Sequence, residues 1–398
     1  MSRGPTATEP MSSDQEREQA ADSERGRRWA ATMAGHGRGP VRTAHADSPA
    51  RQAPASAPVC DRVDREELEN RVLAPEATRA TGAGHRVRPE QPDPMRTCFE
   101  RDRDRILHSS AFRRLAGKTQ VFIFPADHQR TRLTHALEVA QVATSIARAC
   151  RLNVALTEAI ALGHDCGHGP GGHASEDALS VFLPEGFDHA VWGADVSLRS
   201  LNLCAETLDG IRNHSWSRPA PSTPEGEVVS WADRIAYVCH DWEDAVSAGI
   251  VHSGQLPDEV RGRCGTRRGE QLGAFVSAVV DAVHTTGTVG MDEGAADALA
   301  AFRRTNYEQI YLRPSSVAQG AAVLSVLRAL VEHFADHPNR IPAVREAGGL
   351  AAGDDAVRAA VEYVAGMTDR FAMGCALSDL GWDPARLPRS VDEVRPLR

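Results

Sequence analysis

The chain has 398 residues and a formal net charge of −9, enough for roughly two or three average domains or one large domain with an appendage. The acidic balance argues against a protein whose main partner is nucleic acid. Its eight cysteines form no CxxC pair, and no apolar run approaches the roughly 18 residues of a membrane span. We therefore expect a cytoplasmic protein with reduced thiols and no membrane partner.

The N-terminal segment differs in composition from the rest of the chain. Residues 1–60 contain no Leu, Ile or Phe and are rich in Ala, Arg, Ser, Pro and Gly. Such a segment cannot bury enough apolar surface to offset the entropy that ordering would cost. The sequence therefore predicts a disordered tail over 1–60, followed by a linker with a short helix over 61–95.

Helical hydrophobic patterns occupy most of the chain from about residue 96, with almost no period-2 alternation, so the predicted fold class is all-α. The predicted helices cover 133–150, 154–163, 229–250, 270–284, 294–311, 315–335 and 354–377. Prolines and glycines predict loops over 215–229 and 253–269. One stripe of the helix at 229–250 is predicted to carry Asp233, Tyr237, His240 and Asp244.

One short stretch concentrates the side chains that carry chemistry. The sequence LGHDCGHGPGGHASED, residues 162–177, has three histidines, two aspartates and a glutamate within sixteen positions. Burying such imidazoles and carboxylates without partners costs several kcal/mol. A metal ion is the first candidate for satisfying them.

Residues elsewhere in the chain complete a ligand set. His135 lies on the apolar face of its helix and so points inward. The candidate ligands are His135, His164, Asp165 and Asp233. Two imidazoles and two carboxylates suit Mn, Fe, Co, Ni or Zn, or Mg through the carboxylates, and predict metal-assisted hydrolysis. Taken alone, His135 fits a hydrogen-bonded core histidine better, and the second His-Asp pair, His240–Asp241, is interpreted as structural.

Five blocks of the chain resemble the HD-domain phosphohydrolases and, within them, the deoxyguanosine triphosphate triphosphohydrolase family. The blocks are ERDRDRILHSSAFRRLAGKTQVF (100–122), TRLTHALEVAQVA (131–143), AIALGHDCGHGPGGHASEDAL (159–179), WADRIAYVCHDWEDAV (231–246) and YVAGMTDRFA (363–372). They stand in the family's order and cover about residues 96 to 375. The resemblance implies an HD-domain helical bundle with its catalytic core at 96–250 and additional C-terminal helices at 251–398 packed on that core.

The resemblance also implies the same four metal ligands and a definite reaction. A deoxynucleoside triphosphate (dNTP) is cleaved between the 5′ oxygen and the α-phosphorus, which releases deoxynucleoside and triphosphate. His173 and Glu176 resemble the family's catalytic pair, in which the glutamate orients the imidazole that transfers a proton. His168 and His189 would line the phosphate side, where an imidazole stabilises negative charge, although buried histidines can also simply bond backbone carbonyls.

Three further residues are predicted to bind substrate. Arg132 precedes the first ligand by one helical turn, which suits a charge-assisted bond to a phosphate. Gln120 resembles the family glutamine that reads the 3′-hydroxyl of the sugar, and Tyr237 would pack where a 2′-hydroxyl would clash. Phosphate binding, a subunit contact and a solvated basic face are all open for Arg113, Arg114 and Lys118.

Two positions depart from the family pattern. Gly171 stands where the family usually has phenylalanine, which predicts a wider pocket, and Ala190 stands where it has asparagine.

The alternative functions are hydrolysis of another phosphoester, such as a nucleoside monophosphate or a cyclic dinucleotide, and non-catalytic nucleotide sensing. The expected partners are a dNTP substrate, a nucleotide activator and further copies of the chain.

Overall fold

The computed structural model describes residues 23–33, 35–36, 40–45, 58–126, 128–351 and 355–389. It divides into two units, Met1–Val59 and Cys60–Arg398. Most of the tail predicted at residues 1–60 lies outside the described residues, and its predicted disorder stays a prediction there.

Two short helices occur in the segments predicted to be tail and linker. Helix α1, Glu24–Thr32, was not expected from the sequence. The Ser23 side chain caps its first turn, and Arg28 pairs with Glu24 at 3.0 Å, so local contacts rather than an apolar core favour this helix. Helix α2, Arg62–Val72, lies in the predicted linker, and a capping box between Asp61 and Asp64 stabilises its N-terminus.

The described residues of the second unit contain helices and no β-strand, which confirms the predicted all-α fold class. The helices after α2 are α3 (Cys98–His108), α4 (Ser110–Arg114), α5 (Arg132–Ala149), α6 (Val154–Gly163), α7 (His173–Leu179), α8 (His189–Trp192), α9 (Ala205–Asn213), α10 (Pro224–Ser247), α11 (Asp258–Cys264), α12 (Arg268–Thr286), α13 (Glu293–Asn306), α14 (Pro314–Asp336), α15 (Pro342–Glu346), α16 (Ala356–Ala365) and α17 (Asp369–Leu380). Short 3₁₀ and π turns join several of them.

A first hydrophobic core is built by α3, α5, α6 and α10, with α12 and α13 packed on α10. Its fully buried side chains include Ile106, Ile146, Ile160, Ile235 and Phe302. Because α5, α6 and α10 contact one another in pairs, side chains on their facing surfaces meet although they are distant in sequence. This core continues past the boundary predicted at residue 250.

A second hydrophobic core is built by α7, α14, α16 and α17. Val323, Leu327 and Leu330 of α14 are fully buried against Val361 and Val364 of α16. Helix α14 is the one described helix whose length and apolar composition would allow it to cross a membrane, and core helices meet the same criterion. The packing of α7 on α14 connects the stretch at 162–177 to the C-terminal helices.

Three predicted boundaries are wrong. The loop predicted at 215–229 ends early, because a threonine caps α10 and Pro224 occupies the first turn, where proline's missing N–H costs nothing. The loop predicted at 253–269 contains α11. The single helix predicted at 354–377 is two helices, α16 and α17. The helical conformation is interrupted between Ala365 and Asp369, and Thr368 caps the second helix.

Candidate metal centre and active-site cavity

The four predicted metal ligands meet where α5, α6 and α10 pack together. His135 lies on α5 and Asp233 on α10. His164 and Asp165 directly follow the last residue of α6. The Oδ1 atom of Asp233 is 3.1 Å from His135 Nε2 and 3.6 Å from His164 Nε2. Asp165 places its carboxylate oxygens 3.6 Å from His164 Nε2 and 4.0 Å from His135 Nε2.

The donor atoms suit a divalent metal. His164 Nδ1 contacts the Ala161 carbonyl at 2.6 Å, so Nδ1 carries a proton and Nε2 is the atom that faces the carboxylates. That buried Nε2 atom has no hydrogen-bond partner among the described residues. Donor atoms of His135, His164 and Asp233 all lie within 4.8 Å of one another. This mixed N/O set fits a divalent first-row metal, and the carboxylates also fit Mg.

A buried arginine balances the charge of the centre. Arg132 donates to Asp165 Oδ2 at 2.8 Å, and both side chains are buried. Burial would raise the pKa of Asp165, but Arg132 and the neighbouring imidazoles hold it well below its usual range. Burial would lower the pKa of His164, but the carboxylates of Asp165 and Asp233 raise it to about 9, so a metal that binds Nε2 must displace a proton from it. The carboxylates are therefore ionised, as metal ligands must be.

A cluster of imidazoles lies beside the ligands. His168, His173, Glu176 and His189 have donor atoms within 4.8 Å of one another, a spacing that suits proton transfer or a cation. Glu176 Oε1 accepts a hydrogen bond from His189 Nδ1, whereas Glu176 Oε2 is 3.9 Å from Nδ1 of the exposed His173. The rings of His168 and His189 stack with centroids 3.7 Å apart. Glu176, which the sequence pairs with His173, therefore holds His189 more closely.

A further histidine joins this cluster and was missed in the sequence. His214 Nε2 is 3.3 Å from His189 Nε2, and the His214 ring lies 5.0 Å from the His164 ring. Burial and the two neighbouring imidazoles lower the pKa of His214 to about 3, so it is neutral. His214 follows the end of α9 and bonds the Ile211 carbonyl, as His164 follows α6 and bonds the Ala161 carbonyl. A histidine directly after a helix end, as at the predicted ligand His164, was the sequence signal that could have identified His214.

One cavity of about 400 Å³ joins these groups to the predicted substrate residues. Its wall includes Gln120, Arg132, Tyr237 and three of the four ligands, His135, Asp165 and Asp233. Gln120 Oε1 and Asp241 Oδ1 are buried in the wall and have no hydrogen-bond partner within the described part of the chain. Because buried polar atoms are normally satisfied, these two oxygens are candidates for a hydrogen bond with a bound molecule or an ordered water.

Two arginines that the sequence analysis missed also line the cavity. The Arg234 guanidinium lies 4.1 Å from the centroid of the Trp216 ring and 5.5 Å from that of Tyr237. Arg303 donates through Nε to the Tyr237 hydroxyl at 2.7 Å. With Arg132 they give the cavity a positively charged side, which suits a phosphate chain. Arg234 could have been inferred from its position next to a ligand, whereas Arg303 comes from α13 and no motif marks it.

The residues of the stripe predicted on α10 face two different neighbours. Asp233, Tyr237 and Asp241 face the cavity, four residues apart, whereas His240 and Asp244 do not line it. His240 Nδ1 is 3.4 Å from Glu138 of α5, and Asp244 bonds Arg130 at 2.5 Å. The His240–Asp241 pair therefore divides into a histidine that faces α5 and an aspartate that lines the cavity and accepts from Tyr311.

Two other sequence interpretations change with the structure. Lys118 is neither a phosphate binder nor part of a solvated face, because it is buried and its Nζ donates to the carbonyls of His168 and Ala365. Gly171 has φ +74°, and a Cβ there would lie 2.5 Å from Val323 of α14. A neighbouring helix thus fills the space that a side chain at this position would need.

The chain is similar to known proteins over most of its length. The HD domain family matches residues 132–238, and the phosphohydrolase-associated domain family matches residues 289–376. A deoxyguanosinetriphosphate triphosphohydrolase-like protein of Caldanaerobacter subterraneus subsp. tengcongensis is 41% identical over 315 residues, which cover 77% of this chain and 92% of that protein. A protein of the same name from Desulfatibacillum aliphaticivorans is 38% identical over 339 residues, covering 78% and 95%.

These matches and the observed site agree with each other. The HD domain match contains all four candidate ligands. The second matched segment contributes α14, α16 and the start of α17, which form the second core. The chain belongs to the deoxyguanosinetriphosphate triphosphohydrolase-like family of HD-domain phosphohydrolases.

Proposed function

We propose that the protein is a cytoplasmic, metal-dependent hydrolase that converts a dNTP and water to deoxynucleoside and inorganic triphosphate. The observation that carries the proposal is the single cavity in which metal ligands, a histidine cluster, three arginines and two unsatisfied acceptors meet. The names of the relatives support the same substrate class. In the reaction, water oxygen bonds to the α-phosphorus, the bond from that phosphorus to the 5′ oxygen breaks, and the 5′ oxygen gains a proton.

The proposed metal ligands are His135, His164, Asp165 and Asp233, whose imidazole nitrogens and carboxylate oxygens lie 3.1 to 4.0 Å apart in the four histidine–aspartate pairs. A bound divalent metal would supply a polarised phosphoryl oxygen and a water of lowered pKa. The protein fixes the ligand orientation through the His164 contact with Ala161 and through the pairing of Asp165 with Arg132. The identity of the metal is left to measurement.

Proton transfer is assigned to the histidines that Glu176 holds. His173 is exposed in the cavity wall, so it can reach the leaving 5′ oxygen or the α-phosphate. Glu176 lies between His173 and His189 and would orient both imidazoles. His168 and His189, whose rings stack, are proposed to line the phosphate side of the cavity and to stabilise negative charge there. His168 Nε2 also lies 3.2 Å from Asp165 Oδ1, which links this pair to the proposed metal centre.

The sugar is assigned to the part of the cavity wall that carries Gln120. The unsatisfied Oε1 atom of Gln120 would accept a hydrogen bond from a 3′-hydroxyl. The Tyr237 ring is held by Arg234 and Arg303 and would pack against the ribose where a 2′-hydroxyl would otherwise sit. Arg132, Arg234 and Arg303 are proposed to bind the phosphate chain.

Product analysis tests this function. Metal-reconstituted protein is incubated with each dNTP singly and with all four together, and we expect inorganic triphosphate and deoxynucleoside as products. The mixture tests the proposed nucleotide activator, and sedimentation with and without nucleotide tests the proposed homo-oligomer. Orthophosphate or a linear dinucleotide from other nucleotide esters would favour a different phosphohydrolase. Tight dNTP binding without turnover would favour a sensor.

Selection against ribonucleotides is the second expected result. The parental enzyme should cleave dGTP roughly 10²-fold faster than GTP, as kcat/KM, because an added hydroxyl has no room beside Tyr237. Tyr237→Ala should reduce that ratio by opening the space, whereas Tyr237→Phe keeps the ring and should preserve most of it. Equal cleavage of GTP and dGTP by the parental enzyme would contradict the roles given to Gln120 and Tyr237.

A further inference from the structure

We infer that Asp369, the first residue of α17, is a positioning residue that holds two walls of the active-site cavity in place from the C-terminal helices. The two walls are the segments 118–121, which carries Gln120, and 167–173, which carries His168 and His173. The predicted effect on activity rests on the proposed function, whereas the predicted effect on the backbone does not.

The contacts of Asp369 join these segments directly. Its Oδ2 atom accepts from the Thr119 amide at 2.9 Å and from the Thr119 hydroxyl at 2.6 Å. Its Oδ1 atom accepts from the Gly171 amide at 2.9 Å. Asp369 is 250 residues from Thr119 along the chain and is almost fully buried. Within the described residues, all hydrogen bonds of this carboxylate go to the two walls.

Lys118 makes a second connection between the two walls and the C-terminal helices. Lys118, the residue before Thr119, donates from Nζ to the His168 carbonyl and to the Ala365 carbonyl at the end of α16, the latter at 3.1 Å. The two walls are thus joined to each other and to the loop between α16 and α17. Because Thr119 adjoins Gln120, and Gly171 lies two residues before His173, a shift at Asp369 would move the proposed sugar and proton-transfer groups together.

The helix itself does not need this carboxylate. Thr368 caps α17 by accepting from the Phe371 amide at 3.4 Å, so the helix start is satisfied without Asp369. The carboxylate instead has two oxygens facing three donors from elsewhere in the chain. An amide at this position would turn an NH₂ group toward one of those donors, because only one of its two terminal atoms can accept.

Asp369→Asn tests the inference, with Asp379→Asn as the matched control. Asp379 is an exposed carboxylate on the same helix and bonds neither wall. For Asp369→Asn we expect bound metal and the overall fold to be retained and amide hydrogen exchange to accelerate at Thr119 and Gly171. We expect kcat for dNTP to fall roughly 10²-fold, the size expected when reacting groups are displaced by about 1 Å. The preference for dGTP over GTP should fall with it, because Gln120 moves.

The outcomes separate positioning from simple destabilisation and from failure of the proposed function. Parental exchange at both amides together with parental kcat in Asp369→Asn would overturn the inference, as would a loss of kcat that only follows the fraction of unfolded protein. If the parental enzyme cleaves no dNTP, the proposed function fails, and the exchange measurement still decides the role of Asp369. Should Asp369→Asn not fold, Thr119→Val removes only the hydroxyl bond. It should accelerate exchange at the backbone amide of residue 119, which bonds the same Asp369 oxygen as the hydroxyl, and lower kcat; a parental result for both would overturn the inference.

Discussion

Asp165→Ala is expected to empty the metal centre and to destabilise the fold, whereas Asp233→Ala should empty the centre with a smaller loss of stability. Both variants lose a carboxylate ligand. Asp165 is also the buried ion-pair partner of Arg132, at 2.8 Å, whereas Asp233 contacts the imidazoles of His135 and His164. A buried arginine left without its partner costs about 3–5 kcal/mol.

Elemental analysis and thermal unfolding of metal-depleted proteins measure this difference. Metal depletion matters because bound metal would itself stabilise the parental protein and mask the effect of the ion pair. We expect both variants to be inactive and to contain no bound metal after reconstitution. Only Asp165→Ala should melt well below the metal-depleted parent. Retention of a full metal complement in either variant would remove that residue from the ligand set. Equal melting temperatures for the two variants would contradict the role given to the ion pair with Arg132.

His173→Ala is expected to keep its metal and bind dNTP nearly as the parent does, yet to lose roughly 10²- to 10⁴-fold in single-turnover rate. That is the size expected when a positioned proton-transfer group is removed. The reason lies in its position, since His173 is exposed at the cavity wall and is not among the candidate metal ligands at the centre. Glu176→Gln should lower the same rate roughly 10- to 100-fold, because Glu176 contacts both His173 and His189.

Asp177→Asn is the matched control for Glu176→Gln, because it changes the neighbouring, exposed carboxylate of α7. Metal content by elemental analysis, dNTP affinity by calorimetry and single-turnover rates give the three readouts. Loss of metal from His173→Ala, or a parental rate in that variant, would require new roles for the histidines of 162–177. A slower rate in Asp177→Asn would mean that charge on α7, rather than the contacts of Glu176, sets the rate.

Local patterns in the sequence were sufficient to predict the main helices of the first core and to select four candidate metal ligands that the structure brings together. The 3.6-residue period predicts α5, α6 and most of α10 because each helix buries one face. His135 on an apolar face and the His164–Asp165 pair after a helix end are visible without tertiary information. The structural interpretation of His240–Asp241 did not show that Asp241 lines the cavity, since periodicity alone does not show where the facing helix ends and the cavity begins.

Contacts between distant segments were decided by the tertiary structure. Glu176 bonds His189, which lies beyond the loop that follows α7, and His214, at the end of α9, contacts the same imidazole. Lys118 and Asp369 are joined to the cavity walls only after the two cores pack together. A sequence pattern reports which face of an element is apolar, but it does not report which elements will share that face. The candidate ligands could therefore be selected from the sequence, whereas the partners of Glu176 and the contacts from α17 were fixed by the packing of helices far apart in the chain.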